Sequence, residues 1–251
     1  MTQSLAASAL ALSASAAPAA ETPKRPYFEL RRYILAAGGP EGKLSDNYFA
    51  DALIPALNRL GIPQVGAFKL DVGPDTPTVY LLIPSTSLET LANLNASLAK
   101  DEVYLKAAAP FLAAPADHPA YHRVDSTLLS AFDDFAVPAP TKRIFQLRIY
   151  ESPTQQAHDN KVAMFANAEI GIFRSVGMKP VFFAKALIGP NLPNLTYMLV
   201  FENQADLEAK WAAFGASPAW KKLVSQPGNG DDALIRQITN LYLSPKPYSQ
   251  I

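Results

Sequence analysis

The chain has 251 residues, of which 49% are hydrophobic and 18% are charged, and this composition is sufficient to bury a large core. Lys plus Arg and Asp plus Glu number 22 each, so the bulk charge gives no reason to expect a nucleic-acid partner or binding to an anionic membrane. The absence of cysteine excludes disulfides, thiolate chemistry and cysteine-ligated metal sites.

The N-terminal segment, residues 1–20, carries no charge and contains nine alanines. It resembles the apolar and cleavage regions of an export signal, although no Lys or Arg precedes the apolar run. We predict an export-signal-like or disordered tail over residues 1–24, and therefore a periplasmic or secreted protein. If the segment is not a signal, we expect a cytoplasmic protein. The segment is too weakly apolar for a membrane anchor, so we predict no integral membrane span.

A six-residue strand pattern occurs twice, 117 positions apart. Residues 28–33 read Phe-Glu-Leu-Arg-Arg-Tyr, and residues 145–150 read Phe-Gln-Leu-Arg-Ile-Tyr. Each copy is followed by patterns typical of a helix, two strands, a second helix and a closing strand. The order β-α-β-β-α-β, repeated, is the ferredoxin-like arrangement. We predict an α+β fold with domain 1 over 25–135, a Pro-rich linker over 136–142 and domain 2 over 143–251, packed sheet to sheet as an intrachain barrel.

The alternation of side chains gives each copy of the strand one apolar face and one face with Arg and Tyr. We expect the apolar face to meet the helices and the polar face to line a cleft between the two sheets. Because burying an unpaired charge is costly, Arg31 either pairs with an acid such as Glu29 at a wet rim or orients an anionic or carbonyl-bearing ligand. The candidate ligand-binding residues of this inter-sheet cleft are Arg31, Tyr33, Arg148, Tyr150 and Tyr197. Tyr197 is aligned here with Tyr80, 117 positions earlier.

Glu169 is the candidate catalytic acid or base. It falls on the apolar stripe of its predicted helix, where the first copy has Leu53, and a buried carboxylate needs a partner or a raised pKa. The alternative is that it pairs with a nearby Lys or Arg at the edge of the stripe. We interpret His158, on the same stripe, as a surface or capping residue. His118 and His122 lack an obvious third ligand, so we predict no metal and no cofactor.

The pattern Phe-x-Leu-Arg-x-Tyr resembles the opening of the NIPSNAP domain, and residues 169–202 and 217–222 of the second copy support this. The resemblance covers about 27–132 and 143–245 and is weaker in the first copy. It implies a dimeric α+β barrel, a superfamily that also holds cofactor-free monooxygenases and haem enzymes such as chlorite dismutase. It implies no particular reaction, because the family has no settled catalytic motif and a fold alone does not define an activity.

Three functions stay open at this stage. The leading hypothesis is that a small, partly apolar, polar-headed molecule binds in the inter-sheet cleft. The second is a cofactor-independent oxygenase or isomerase that uses the same cleft with Glu169, Arg148 or Tyr150. The third is a protein-interaction module without a ligand. We expect any active site on the side of the second copy, beside Arg148, and leave open whether the intrachain pseudo-dimer forms a homo-oligomer.

Overall fold

The computed structural model describes residues 25–36, 39–133, 135–136 and 143–251. The predicted N-terminal tail and residues 137–142 of the predicted linker lie outside the described residues. The described part forms two halves with the same order of elements. This order agrees with the β-α-β-β-α-β repeat predicted from the sequence.

The first half begins with strand β1 (Tyr27–Leu35) and continues into a long helical segment. This segment comprises α1 (Gly39–Asn47), a π-helical turn (Tyr48–Leu53) and α2 (Ile54–Arg59). The remaining elements are β2 (Gly66–Val72), β3 (Thr78–Ser85), α3 (Leu88–Ala92), α4 (Leu94–Leu98), α5 (Glu102–Leu112) and β4 (Tyr121–Ala131). Gly61 follows α2 at a φ of 82°, a left-handed conformation that favours glycine at a helix end.

The second half begins with β5 (Ile144–Glu151), and its long helical segment again contains a π-helical turn. The segment comprises α6 (Gln155–Met164), the turn (Phe165–Glu169) and α7 (Ile170–Ser175). The remaining elements are β6 (Lys179–Ile188), β7 (Asn194–Phe201), α8 (Gln204–Ala216), α9 (Pro218–Val224), α10 (Asp231–Leu234) and β8 (Gln237–Pro245). Both π-helical turns lie at the same place in the repeat, and such turns inside α-helices are frequent at functional sites.

The eight strands of the described residues close into one barrel in the order β1-β3-β2-β8-β5-β7-β6-β4. Two seams join the halves: β2 pairs with β8, and β4 pairs with β6, both antiparallel. The helices of each half pack on the outside of its own four strands, as shown by the separate apolar clusters of the two halves. The predicted α+β barrel made of two ferredoxin-like halves is therefore confirmed.

The assignment of the two strand faces was wrong. Phe28, Leu30, Phe145 and Leu147 point into the barrel, where they form one apolar core with residues of both halves. Arg31 and Tyr33 with their second-half counterparts Arg148 and Tyr150 point outward, toward the helices. Apolar side chains from both halves fill most of the barrel interior, and a guanidinium placed among them would be costly to bury without a partner. The predicted polar cleft between the sheets is instead this apolar core.

The alignment of Tyr80 with Tyr197 was also wrong by one position. Arg31 pairs across the β1–β3 ladder with Leu81, whereas Arg148 pairs across the β5–β7 ladder with Tyr197. Leu81 is thus the true counterpart of Tyr197. Because a shift of one residue moves a side chain to the other face of a sheet, Tyr80 belongs to the barrel interior and Tyr197 to the helix side.

Candidate functional site

A cavity of about 470 Å³ lies between the sheet and the helices of the first half. Its volume is within the range of small-molecule sites in proteins. The base is formed by outward-facing residues of β1 and β4, and the walls come from the π-helical turn, α4 and α5. We call it the sheet–helix cavity. The structure therefore places a candidate site in the first half, whereas the sequence favoured the second.

The base of the sheet–helix cavity holds a charge pair. Arg31 Nε and Nη2 donate to Glu29 Oε1 and Oε2 at 2.5 and 2.9 Å, and Ser126 Oγ also donates to Glu29 Oε1 at 2.8 Å. Arg31 Nη2 lies 3.4 Å from Asn95 Oδ1. Burial lowers the pKa of the Arg31 guanidinium, but the hydrogen bonds and charges of Glu29 and Tyr33 together outweigh burial and raise this pKa. The pair with Glu29 is the one that the sequence offered as an alternative, and it lines a cavity.

The walls of the cavity are aromatic. Tyr48 and Phe111 stack with ring centroids 3.7 Å apart, and Tyr121 also stacks with Phe111, at 5.5 Å. The hydroxyls of Tyr48 and Tyr104 lie 3.0 Å apart, and burial raises the pKa of Tyr48, so the Tyr48 hydroxyl stays neutral. A tyrosine hydroxyl can both donate and accept a hydrogen bond. The cavity thus offers flat apolar walls, polar hydroxyls and a charge-balanced base.

The corresponding place in the second half is filled. Arg148 Nε and Nη2 donate to the Tyr150 hydroxyl at 3.2 and 2.9 Å, and that hydroxyl lies 2.9 Å from the Tyr197 hydroxyl. The Arg148 guanidinium carbon lies 4.7 Å from the Trp211 ring centroid, a distance typical of a cation–π contact. The structure therefore places Arg148, Tyr150 and Tyr197 side by side on the helix side of the second half, and Trp211 packs over Arg148.

One pair of positions contributes directly to the difference between the halves. Ser87 caps α3 and Asn203 caps α8 with the same side-chain bond, and Asn95 and Trp211 follow these caps at equal spacing. Both residues contact the arginine of their half. In the second half Trp211 Nε1 also donates to Gln146 at 2.7 Å, which fixes the indole in place. The short Asn95 leaves open the space that Trp211 occupies.

Glu169 forms a buried ion pair with Lys161, whose Nζ lies 3.3 Å from Glu169 Oε2. The side chains are 2% and 1% exposed. Burial raises the pKa of Glu169 from 4.5 to about 7, and the charge of Lys161 opposes this shift. The first half has Ser45 and Leu53 at these positions, so the pair is specific to the second half. The carboxylate is enclosed, with no direct access from the sheet–helix cavity of the first half.

The histidines take three different environments. His158 is 2% exposed and its Nδ1 has no hydrogen-bond partner, so the prediction of a surface or capping residue was wrong. Burial lowers its pKa, which keeps the ring neutral. His122 is exposed on β4, and His118 lies in the loop before that strand. Across the described residues, no group of three or more His, Asp or Glu could hold a metal ion.

Asn95, Tyr48, Tyr104 and Phe111 were not selected from the sequence. The repeat did contain a signal for Asn95, because Asn95 follows its helix cap, Ser87, at the same spacing at which Trp211 follows Asn203. Tyr48 and Phe111 carried no such signal, because aromatic residues at helical spacing are usually core. The helices of the described ranges include none with the length and apolar character that a membrane crossing requires.

Comparison with known proteins agrees with this architecture. Residues 145–250 match the model of the NIPSNAP family, which confirms the predicted resemblance for the second half. A candidate monooxygenase from Fusobacterium nucleatum is 9% identical, with a TM-score of 0.57 over 89% of this chain and 94% of its own. A second candidate monooxygenase, from Lactobacillus acidophilus, is 11% identical, with a TM-score of 0.56 over 88% of this chain and 94% of its own.

A NIPSNAP-like domain protein from Burkholderia xenovorans is 24% identical over 43% of this chain and 88% of its own, with a TM-score of 0.39. No curated protein matches the chain. At these identities the two longer matches show the fold, a barrel of two α+β halves, and do not show an activity.

Proposed function

We propose that this chain, whose second half matches the NIPSNAP family, binds a small aromatic molecule with a polar head in the sheet–helix cavity of its first half. The observation that carries the proposal is the cavity of about 470 Å³ over the Glu29–Arg31 pair. The proposal keeps the class of ligand predicted from the sequence and moves its site from the barrel interior to the helix side of one half.

The charge of the base favours a neutral head group. Arg31 and Glu29 neutralise each other through two hydrogen bonds, so an anionic or cationic ligand gains little net attraction. Glu29 accepts hydrogen bonds, and the Tyr48–Tyr104 hydroxyl pair can donate and accept. A phenol or a similar hydroxyl-bearing ring matches this mixture of groups.

The shape of the walls favours a flat ligand body. The stacked rings of Tyr48, Phe111 and Tyr121 line the cavity, and aromatic rings pack well with a planar ligand ring. Leu105, Leu112 and Val124 line the cavity and are exposed. Exposed apolar side chains around a concave site are typical of a ligand-binding mouth.

The test is a fluorescence titration with 2-naphthol, which has a planar body and one hydroxyl, together with 2-methylnaphthalene, which lacks the hydroxyl. We expect saturable binding of 2-naphthol at one site per chain and weaker binding of 2-methylnaphthalene. The variant Asn95→Trp places in the first half the residue that fills the second half, and we expect it to weaken 2-naphthol binding at least about tenfold.

The matched control is Ala96→Trp, because Ala96 is exposed on the same helix and does not line the cavity. We expect this variant to bind 2-naphthol like the parent protein. Equal binding by the parent and by Asn95→Trp, with both folded by circular dichroism, would mean that the probe does not occupy the sheet–helix cavity. A melting-temperature screen that finds no stabilising aromatic compound would overturn the proposal of ligand binding.

A cofactor-independent oxygenase is the second candidate, because two proteins of the same fold carry the description of candidate monooxygenases. In this chain the carboxylate that lines the cavity is Glu29, and it is the group placed to accept a proton from a bound phenol. Oxygen consumption with 2-naphthol tests this function. Consumption lost in Glu29→Gln, with 2-naphthol still bound, would support an enzyme, and no consumption by the parent would support a binding protein.

A further inference from the structure

A second cavity, of about 240 Å³, lies at one end of the barrel interior. The first half contributes Leu30, Arg32 and Tyr80, and the second half contributes Ile149, Thr239 and Leu241. We call it the barrel-end cavity. Arg32 and Arg31 are consecutive in β1, so their side chains point to opposite faces of the sheet. The barrel-end cavity is therefore separate from the sheet–helix cavity and does not depend on the function proposed for it.

The barrel-end cavity lies where the two halves face each other across their pseudo-twofold axis. Its lining contains equivalent residues of the repeat. Arg32 of the first half corresponds to Ile149 of the second, and Pro74 of the β2–β3 turn corresponds to Pro190 of the β6–β7 turn. The wall from the first half is charged, and the wall from the second half is neutral at the same position. Two identical chains could not make a site with this asymmetry on their symmetry axis.

Arg32 has one hydrogen-bond donor that the fold leaves unused. Its Nη2 donates to Asp75 Oδ2 at 2.8 Å, and its Nε lies 3.5 Å from Asp125 Oδ2 without the geometry of a hydrogen bond. The Nε atom is buried and has no hydrogen-bond partner in the described structure. A buried N–H without an acceptor is costly. Because this atom is covered and lies 3.5 Å from the Asp125 carboxylate, a small movement of Arg32 or Asp125 would open it to an incoming oxygen atom, which would then be favoured as the acceptor.

The charges and the remaining lining define the ligand. Asp75 and Asp125 face the single guanidinium of Arg32, so the surroundings carry an excess of one negative charge and disfavour an anion. Leu30 and Leu241 with Ile149 provide an apolar surface opposite this polar group. We propose that the barrel-end cavity binds a small neutral molecule with a carbonyl oxygen on an apolar body, and that Arg32 Nε–H donates to that oxygen.

Cyclohexanone is a suitable probe, and cyclohexene is the matched compound without a carbonyl. The readout is the Nε–H signal of Arg32 in a ¹H–¹⁵N NMR spectrum, assigned by its loss in Arg32→Lys. We expect a saturable shift of this signal with cyclohexanone and none of similar size with cyclohexene. Ile149→Phe, which fills the cavity from the second half and keeps Arg32, should weaken the cyclohexanone titration at least about tenfold.

Two controls keep the outcomes distinct. Asn95→Trp fills the other cavity, so the cyclohexanone titration should be unchanged in that variant, while 2-naphthol binding is lost. If Ile149→Phe does not fold, Thr239→Leu narrows the same cavity from a different strand, β8. No saturable shift of the Arg32 signal in the folded parent, or the same shift in the filled variant, would mean that no ligand oxygen in the cavity reaches Arg32 Nε and would overturn the proposal.

Discussion

The buried pair of Lys161 and Glu169 should be strongly coupled in stability. Both side chains are almost completely buried, and the atoms Nζ and Oε2 lie 3.3 Å apart. At pH 8, where Glu169 is mostly ionised, Glu169→Leu leaves the ammonium of Lys161 with Asp231 alone, at 3.4 Å. Removing one partner of a buried pair costs about 3–5 kcal/mol, and the remaining Asp231 places our expectation near the lower value, about 3 kcal/mol. Lys161→Met should cost a similar amount, because it leaves the carboxylate unpaired.

The double variant Lys161→Met/Glu169→Leu should be within about 1 kcal/mol of the parent, because hydrophobic residues of similar volume can replace a buried pair. The first half supports this expectation, since it already has Leu53 at the equivalent position. The assay is urea unfolding of the four proteins at pH 8, analysed as a double-mutant cycle. A coupling below about 0.5 kcal/mol, with the two single changes simply adding, would refute this description of the pair.

Three further predictions follow from the same structure. Because burial raises the pKa of Glu169 from 4.5 to about 7, the folded state binds the Glu169 proton more tightly than the unfolded state does. The protonated carboxyl therefore adds up to about 3 kcal/mol of stability, which is fully present below about pH 4.5 and is lost as the pH rises through 7. Glu169→Leu should remove this part of the pH dependence of the urea midpoints. Trp211→Asn should open a second cavity over Arg148 and lower the free energy of unfolding by about 2 kcal/mol. The number of 2-naphthol molecules bound per chain should rise from one to two. A stoichiometry of one in the folded variant would contradict the role given to Trp211. Gly66→Ala should lower the free energy of unfolding by about 1–3 kcal/mol, because the added Cβ would lie 2.6 Å from the Phe68 ring. The control is Gly171→Ala in α7, where the added Cβ meets no atom within 4 Å, and it should not destabilise the protein in the same denaturation assay.

The fold was predictable from the repeat, because the two copies of β1 and β5 and the elements after them recur at nearly constant spacing. The sequence did not predict which face of these strands packs against the helices. Alternation separates Phe28 and Leu30 from Arg31 and Tyr33, but it does not say which set meets the helices. That choice depends on where Arg31 finds partners, and these come from Asn95 on α4, from Glu29 and from the aromatic residues of the helices. Only the assembled barrel shows that its interior offers fewer such partners.

The candidate site was predictable in part. Five ligand-binding candidates were chosen from the strand pattern and from Tyr197, and they lie in two clusters on the helix side, one in each half. The sequence favoured the second cluster because Glu169 stands out there. It could not show that Lys161 pairs with this carboxylate, since the two residues are eight positions apart in the chain. The open cavity depends on the size of Asn95 compared with Trp211, which becomes meaningful once both are placed beside an arginine.

The two seams of the barrel have a consequence for biosynthesis. β2 is completed by β8, which is made about 170 residues later, and β4 is completed by β6 across the linker. When the first half leaves the ribosome it therefore has two unpaired strand edges, which are sites of aggregation in other proteins. We expect the first half alone to be retained by chaperones or to aggregate, and the complete chain to acquire protease resistance only after β8 has been synthesised.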